Sequence, residues 1–94
     1  MTDEDLHKKI KQGDPAALDQ LMQSYSKTVA DIALHYFPKG LSMDLSMGDL
    51  IHQGRKGVVR AIQAYDPAKG HKFSSYAIWW IRQHIVQHLA ENTR

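Results

Sequence analysis

Tyr76, Trp79, Trp80 and Gln83 lie close together in the last quarter of the 94-residue chain, and between them they offer what an unpaired nucleotide needs. A flat ring gives a base a face to stack on, worth about 1–3 kcal/mol per base, and a glutamine amide can hydrogen-bond a base edge. Lys69 and Lys72, a few residues upstream, carry the charge that displaces counterions from phosphates. The same rings have a plainer use, since aromatics at helical spacing usually fill a core. The width of the apolar face separates the two uses. At about 100° per residue, neighbouring Trp79 and Trp80 diverge, so at least one sits at the edge of the core or outside it.

The elements that must position these side chains are all helical. Spacing and caps predict an all-α fold, a compact bundle of about four helices over a single domain, residues 1–94, with helices near 3–12, 15–37, 47–65 and 74–91. Thr2 three residues ahead of Asp5 is a capping-box pattern, and Gly13 closes the first helix. Asp14-Pro15 supplies an N-cap followed by proline at the first helical position. Leu18, Leu21, Met22, Tyr25, Val29, Ile32, Ala33 and Tyr36 then form one stripe that stops before Pro38-Lys39-Gly40.

After a loop to about Ser46, a second capping box, Ser46 with Asp49, opens a helix whose apolar side is Leu50, Ile51, Val58, Ala61, Ile62 and Tyr65. Gly54 and Gly57 interrupt it, each costing about 1 kcal/mol relative to alanine, which points to close approach of a neighbouring helix. Asp66-Pro67 ends it, and Ser74 or Ser75 can cap the last helix. There Ala77, Ile78, Ile81, Ile85 and Leu89 serve the core, while Trp79, Gln83, Val86 and Ala90 run along a second line and Tyr76, Trp80, Gln83 and Gln87 along a third.

Composition excludes several classes. The chain has no cysteine, hence no disulfide framework, thiolate nucleophile or Cys-ligated zinc, which fits a reducing compartment and a cytoplasmic location. Its longest purely apolar run, Ala77–Ile81, is far shorter than the roughly 20 residues a membrane helix needs. A basic amphipathic membrane helix from Phe73 to Leu89 is a poor reading, given the Gln and His on its polar side. No phosphate-cradling glycine loop, acid pair or Ser-His-Asp arrangement stands out, so no enzyme and no cofactor is expected. His84 and His88, four apart, want a third ligand to hold a metal. The overall charge of +2 hides an asymmetry: residues 1–50 carry five Lys against eight acids, and residues 51–94 carry seven Lys and Arg against two. A basic, aromatic-rich half suggests a polyanionic partner; a solvated basic surface on a helical protein-interaction module is the alternative.

The string Lys72-Phe73-Ser74-Ser75-Tyr76-Ala77-Ile78-Trp79-Trp80-Ile81-Arg82-Gln83 resembles the K-F-S-T-Y-A-x-W-W-I-R-Q signature in region 2 of primary-type bacterial RNA polymerase sigma factors. Asp49-Leu50-Ile51-His52-Gln53-Gly54-Arg55-Lys56-Gly57 resembles that family's D-L-I-Q-E-G-N-x-G helix, and Gln12-Gly13-Asp14-Pro15-Ala16-Ala17-Leu18 its usual opening. The resemblance implies a transcription initiation domain with two partners, core RNA polymerase and promoter DNA, and an anti-sigma protein as a third. Asp49, Leu50, His52, Gln53, Arg55, Lys56 and Val59 would face a coiled coil of the largest polymerase subunit. The last helix and the turn before it would capture the non-template strand of the minus-ten element. Tyr76 would stack on a flipped adenine in a pocket shared with Tyr65, Asp66 and Lys69. Trp79 and Trp80 would wedge the upstream edge of the bubble, with Gln83 and Gln87 beside the paired bases and Lys72 and Arg82 on the backbone. Phe73 would contact a base or pack the helix start.

Several residues depart from the pattern. His52 replaces the usual Gln, Gln53 the usual Glu, Arg55 the usual Asn and Lys56 an apolar residue, all shifts toward positive charge. They predict weaker docking on a basic coiled coil, or docking on a variant one. His71 stands where an aromatic is common, and Val86 where a hydroxyl residue is, which predicts weaker discrimination at the upstream end of the element. The family's other regions, including the helix-turn-helix that reads the minus-thirty-five element, have no counterpart in these residues.

Overall fold

Local capping dictates where the chain turns. In a computed structural model that describes residues 1–92, leaving Thr93 and Arg94 of the expected domain outside the described residues, five α-helices and one short 3-10 turn follow each other: α1 (Asp3–Lys11), α2 (Pro15–Ser24), α3 (Ser26–Leu41), α4 (Met47–Ala64) and α5 (Phe73–Glu91), with the 3-10 turn at Pro67–Lys69. No strand occurs among the described residues. Both capping boxes form. Thr2 Oγ1 accepts from the Asp5 amide at 3.1 Å and Asp5 returns the bond, and Ser46 and Asp49 do the same for α4. Asp14 Oδ1 accepts from the amides of Ala16 and Ala17 at the start of α2.

The long second helix read from one continuous stripe is in fact two helices. The break falls at Tyr25, where Ser24 Oγ donates back to the Leu21 carbonyl at 2.7 Å, a local bond that competes with helix continuation. Tyr25 is pulled inward, its ring 5.8 Å from Phe73 and its hydroxyl donating to Asp3 at 2.6 Å. Within α2, Ala17 and Leu21 are buried and Leu18 is 38% exposed, outside the expected stripe. The expected stop before Pro38 is also corrected, because α3 continues through Pro38 to Leu41. Pro38 and Leu34, whose carbonyl would have received the missing N–H, both lie on the exposed side, where water can take the bond. The expected loop shrinks to a tight turn closed by Leu45 N–H donating to the Gly40 carbonyl at 2.8 Å.

The core runs along the seam between α4 and α5, the most extensively packed pair of helices. Leu21, Val29, Leu50, Val58, Phe73, Ile81 and Ile85 are fully enclosed there. The interior glycines explain how closely the two helices approach. A Cβ on Gly57 would lie 2.6 Å from the Trp80 carbonyl oxygen and 2.7 Å from Ile81 Cα, and one on Gly54 would lie 2.7 Å from Val29 Cγ1. At Gly57 the obstacle is backbone, which cannot swing aside.

Gly57→Ala is therefore expected to cost about 1–3 kcal/mol by overpacking, despite the gain of about 1 kcal/mol in helix propensity. Gly48→Ala, whose Cβ would meet nothing nearer than Ser46 Oγ at 3.5 Å, should be neutral or stabilising. Urea unfolding of both variants tests this, and equal stability would contradict it.

Candidate nucleic-acid interface

The start of α5 is fixed from a distance. Lys72 stands at the N-cap without a side-chain bond, and neither Ser74 nor Ser75 caps it as expected. Instead Glu4 on α1 reaches across the sequence, its Oε2 accepting from the Phe73 amide at 2.9 Å. A carboxylate at a helix N-terminus satisfies a free amide and suits the helix dipole. No local pattern announces this partner.

From there an aromatic series climbs from core to surface. His7 is buried, with Nε2–H donating to the Ile62 carbonyl at 3.0 Å. Its ring meets Tyr65 edge-on at 4.9 Å, and Tyr65 meets Phe73 at 5.2 Å. Tyr76 lies 5.9 Å from Tyr65, Trp80 lies 6.2 Å from Tyr76, and Trp79 lies 5.0 Å from Trp80. Tyr65 and Phe73 are buried, Tyr76 and Trp80 are half-buried, and Trp79 is 52% exposed. Hydroxyl bonds lock the lower steps: Tyr65 donates to the His71 carbonyl at 2.7 Å and Tyr76 to the Ala64 carbonyl at 3.4 Å. Burial, with Glu4 and Asp66 nearby, raises the Tyr65 phenol above its usual value, so it remains a donor at neutral pH.

The upper rings line a hollow of about 450 Å³ with His71 and Ser75. A second hollow, lined in part by Tyr65, His71, Lys72 and Ser74, opens beside it toward α1. Lys69 and Lys72 are exposed next to the hollows, and Asp66 is exposed with Oδ1 capping the 3-10 turn through the Ala68 amide at 3.0 Å. Arg82, Gln83, Val86 and Gln87 continue the exposed surface along α5. Arg60 of α4 places its guanidinium carbon 5.3 Å from the centre of the Trp80 ring, within cation–π range. The Trp80 indole N–H is buried with no acceptor, so the ring leaves one donor unsatisfied in this position.

Three residues of the expected contact sets are buried, and for Leu50 this corrects the expectation. Phe73 is wholly enclosed and packs the helix start, the second of the two roles read for it from the sequence. Leu50 is wholly enclosed on the inner side of α4 and cannot face a docking partner. Tyr65 is buried, supports Tyr76 from beneath and lines part of the second hollow. The remaining α4 candidates lie outward: Asp49, His52, Arg55, Lys56 and Val59 are exposed and Gln53 is half-buried. Sequence reading missed Arg60, which follows Lys56 by one turn, and Glu4. Among the described residues no three His, Asp or Glu side chains come together as a metal site, and no helix is long and apolar enough to cross a membrane.

A profile of the family described as Sigma-70 region 2 matches residues 21–94. The chain belongs to the sigma-70 region 2 family. Similar proteins include the RNA polymerase sigma factor SigA of Synechocystis sp., 43% identical over 81 residues, and SigA of Nostoc sp., 44% identical over 78 residues. SigA1 of Synechococcus elongatus is likewise 44% identical over 78 residues. These alignments cover 83–86% of this chain and 18–19% of each relative, so the chain spans less than a fifth of their length. Within this sigma region 2 domain, the matched residues take in α3, α4 and α5, and α1 with its Glu4 cap lies upstream of them.

His84 lies against the α4 face of the domain. Burial first, then the charges of Lys56 and Arg60, hold its imidazole below the usual value of 6.5. The folded value lies below the unfolded one, so the neutral ring favours the fold and that contribution declines as pH falls below 6.5 through the folded value. Lys56→Gln should move the His84 titration upward, read from its imidazole proton shifts by NMR; an unmoved titration would contradict the assigned charge effect.

Proposed function

We propose that this domain acts in transcription initiation by trapping an opened minus-ten element, with α5 and the preceding turn on the non-template strand and α4 on core RNA polymerase. The observation that carries the reading is the aromatic series rooted in the core and ending in the open rings of Tyr76, Trp80 and Trp79. A ring that must grip a base needs a free face and a fixed base plate. Tyr76 has both, since Tyr65 supports it and the Ala64 carbonyl holds its hydroxyl.

The energetics suit trapping. Taking a base out of the stack costs a few kcal/mol, and stacking returns about 1–3 kcal/mol per base. Two rings and a hollow of about 450 Å³ offset one weakly paired step without a fuel molecule. In this reading Tyr76 receives the flipped adenine, with Asp66 and Lys69 at the pocket edge. Trp79 and Trp80 wedge the upstream fork, and Gln83 and Gln87 meet the last paired bases. Lys72 and Arg82 neutralise phosphates, which sets affinity and its salt dependence without reading sequence. Val86, 42% exposed, offers the upstream bases an apolar surface and no hydrogen bond. The role is one of binding, not of catalysis.

Tyr76→Ala and Trp79→Ala, assembled with core polymerase, should each weaken binding of a single-stranded minus-ten oligonucleotide by about 1–3 kcal/mol, while Trp79→Phe keeps most of the affinity. Lys72→Ala should weaken minus-ten and scrambled oligonucleotides alike. Fluorescence anisotropy measures both, and ring-to-alanine variants with unchanged affinity would overturn the reading.

A further inference from the structure

The helix that carries the capture rings begins without a cap of its own. Lys72 stands at its N-cap with no side-chain bond, and the partly buried Phe73 amide finds its acceptor 69 positions away, in Glu4 Oε2 at 2.9 Å. Base capture as described makes no use of that carboxylate. Glu4 is itself firmly held: the Thr2–Asp5 capping box fixes the first turn of α1 in which it lies, Asp3 beside it accepts from the Tyr25 hydroxyl at 2.6 Å, and His7 further along bonds the Ile62 carbonyl at 3.0 Å. The turn it grips is the one that matters for a strand. The Tyr76 amide donates to the Lys72 carbonyl at 3.2 Å, so the cation read as a phosphate contact and the ring read as the stacking platform share one helical turn with the capped amide. With Asp3, Tyr65, Lys72 and Ser74, Glu4 also lines the hollow of about 500 Å³ that opens toward α1. Among the described residues neither acid forms a salt bridge with Lys72, which leaves its ammonium open to a phosphate.

We propose that Glu4 is a positioning residue for strand capture: its bond to the Phe73 amide fixes the turn that carries Lys72 and Tyr76, and its charge closes the start of α5 to phosphate. Free amides at a helix N-terminus attract anions. With that place already taken by a carboxylate, the phosphates of a strand are left to Lys69 and Lys72, and its unpaired base to Tyr76. The inference rests on the reading of α5 as the strand-capturing helix and goes beyond it. In this account α1, upstream of the residues that match the family, governs how sharply the minus-ten sequence is preferred over an arbitrary strand.

The test compares variants assembled with core RNA polymerase, by fluorescence anisotropy on single-stranded minus-ten and scrambled oligonucleotides. Glu4→Ala removes the bond and the charge together. It should weaken minus-ten binding about fivefold, the usual cost of a lost cap, while scrambled binding stays level or tightens at low salt because the helix start is open to phosphate. Glu4→Gln keeps an acceptor oxygen and should keep most of the minus-ten affinity. Glu4→Asp, one methylene short of the amide, keeps the charge: it should lose minus-ten affinity without the gain for scrambled strands, and it decides the matter if circular dichroism shows Glu4→Ala unfolded. An equal loss for both oligonucleotides marks a general loss of structure and would overturn the inference. If Tyr76→Ala loses the minus-ten preference but Glu4→Ala and Glu4→Asp keep it, the inference falls and the reading of α5 stands. If the wild type shows no preference for the minus-ten sequence, both fall.

Discussion

The contact between the backbones of α4 and α5 at Gly57 is the constraint on which the rest depends. With no Cβ in the way, the α5 main chain at Trp80 and Ile81 lies directly against α4. That approach fixes the rotation of α5. Its core line, Phe73, Ala77, Ile81, Ile85 and Leu89, turns inward, and an exposed line through Trp79, Gln83 and Val86 turns out. A helix apolar on nearly every side can settle in several rotations about its axis, and a close backbone contact removes that freedom. The same contact brings Arg60 over the Trp80 ring, so the two proposed faces of the domain meet at one residue pair.

The second support is long-range. Glu4 caps the first amide of α5, Asp3 receives the Tyr25 hydroxyl, and His7 bonds the end of α4 at Ile62. All three lie on α1, a short and polar helix by composition. Its polar side chains do structural work that a larger apolar surface would otherwise do. They also set where the Lys72–Phe73 turn sits relative to the aromatic hollow. Rings that must stack on a base gain from being held before the base arrives, because ordering cost is then met during folding.

Much of this was legible in the residues. Both capping boxes, the proline start of α2 and the end of α4 at Asp66-Pro67 are local chemistry, and local chemistry is written in consecutive residues. The divergence of Trp79 and Trp80 and the need for a close neighbour at Gly54 and Gly57 follow from helix geometry alone. What escaped depends on partners far along the chain. The break at Tyr25 needs Asp3 and Phe73 to draw the ring inward, and nothing in the stripe through Leu18 and Tyr36 signals it. Passage of α3 through Pro38 depends on which side faces water. Phe73 and Leu50 belong to motifs that suggest contact, yet rotation about each helix axis puts both in the core. The cap from Glu4 spans 69 positions in sequence and has no signature within either segment.

The central claim is that the rings at the start of α5 hold an opened strand, Tyr76 on the flipped base and Trp79 at the fork beside it. Quenching of Trp79 fluorescence in a Trp80→Phe background, titrated with a single-stranded minus-ten oligonucleotide and with a scrambled one, with and without polymerase, tests it most directly. The account predicts saturable quenching that is stronger for the minus-ten sequence and sharpened by polymerase. Emission unchanged by either oligonucleotide, with polymerase bound, would contradict it.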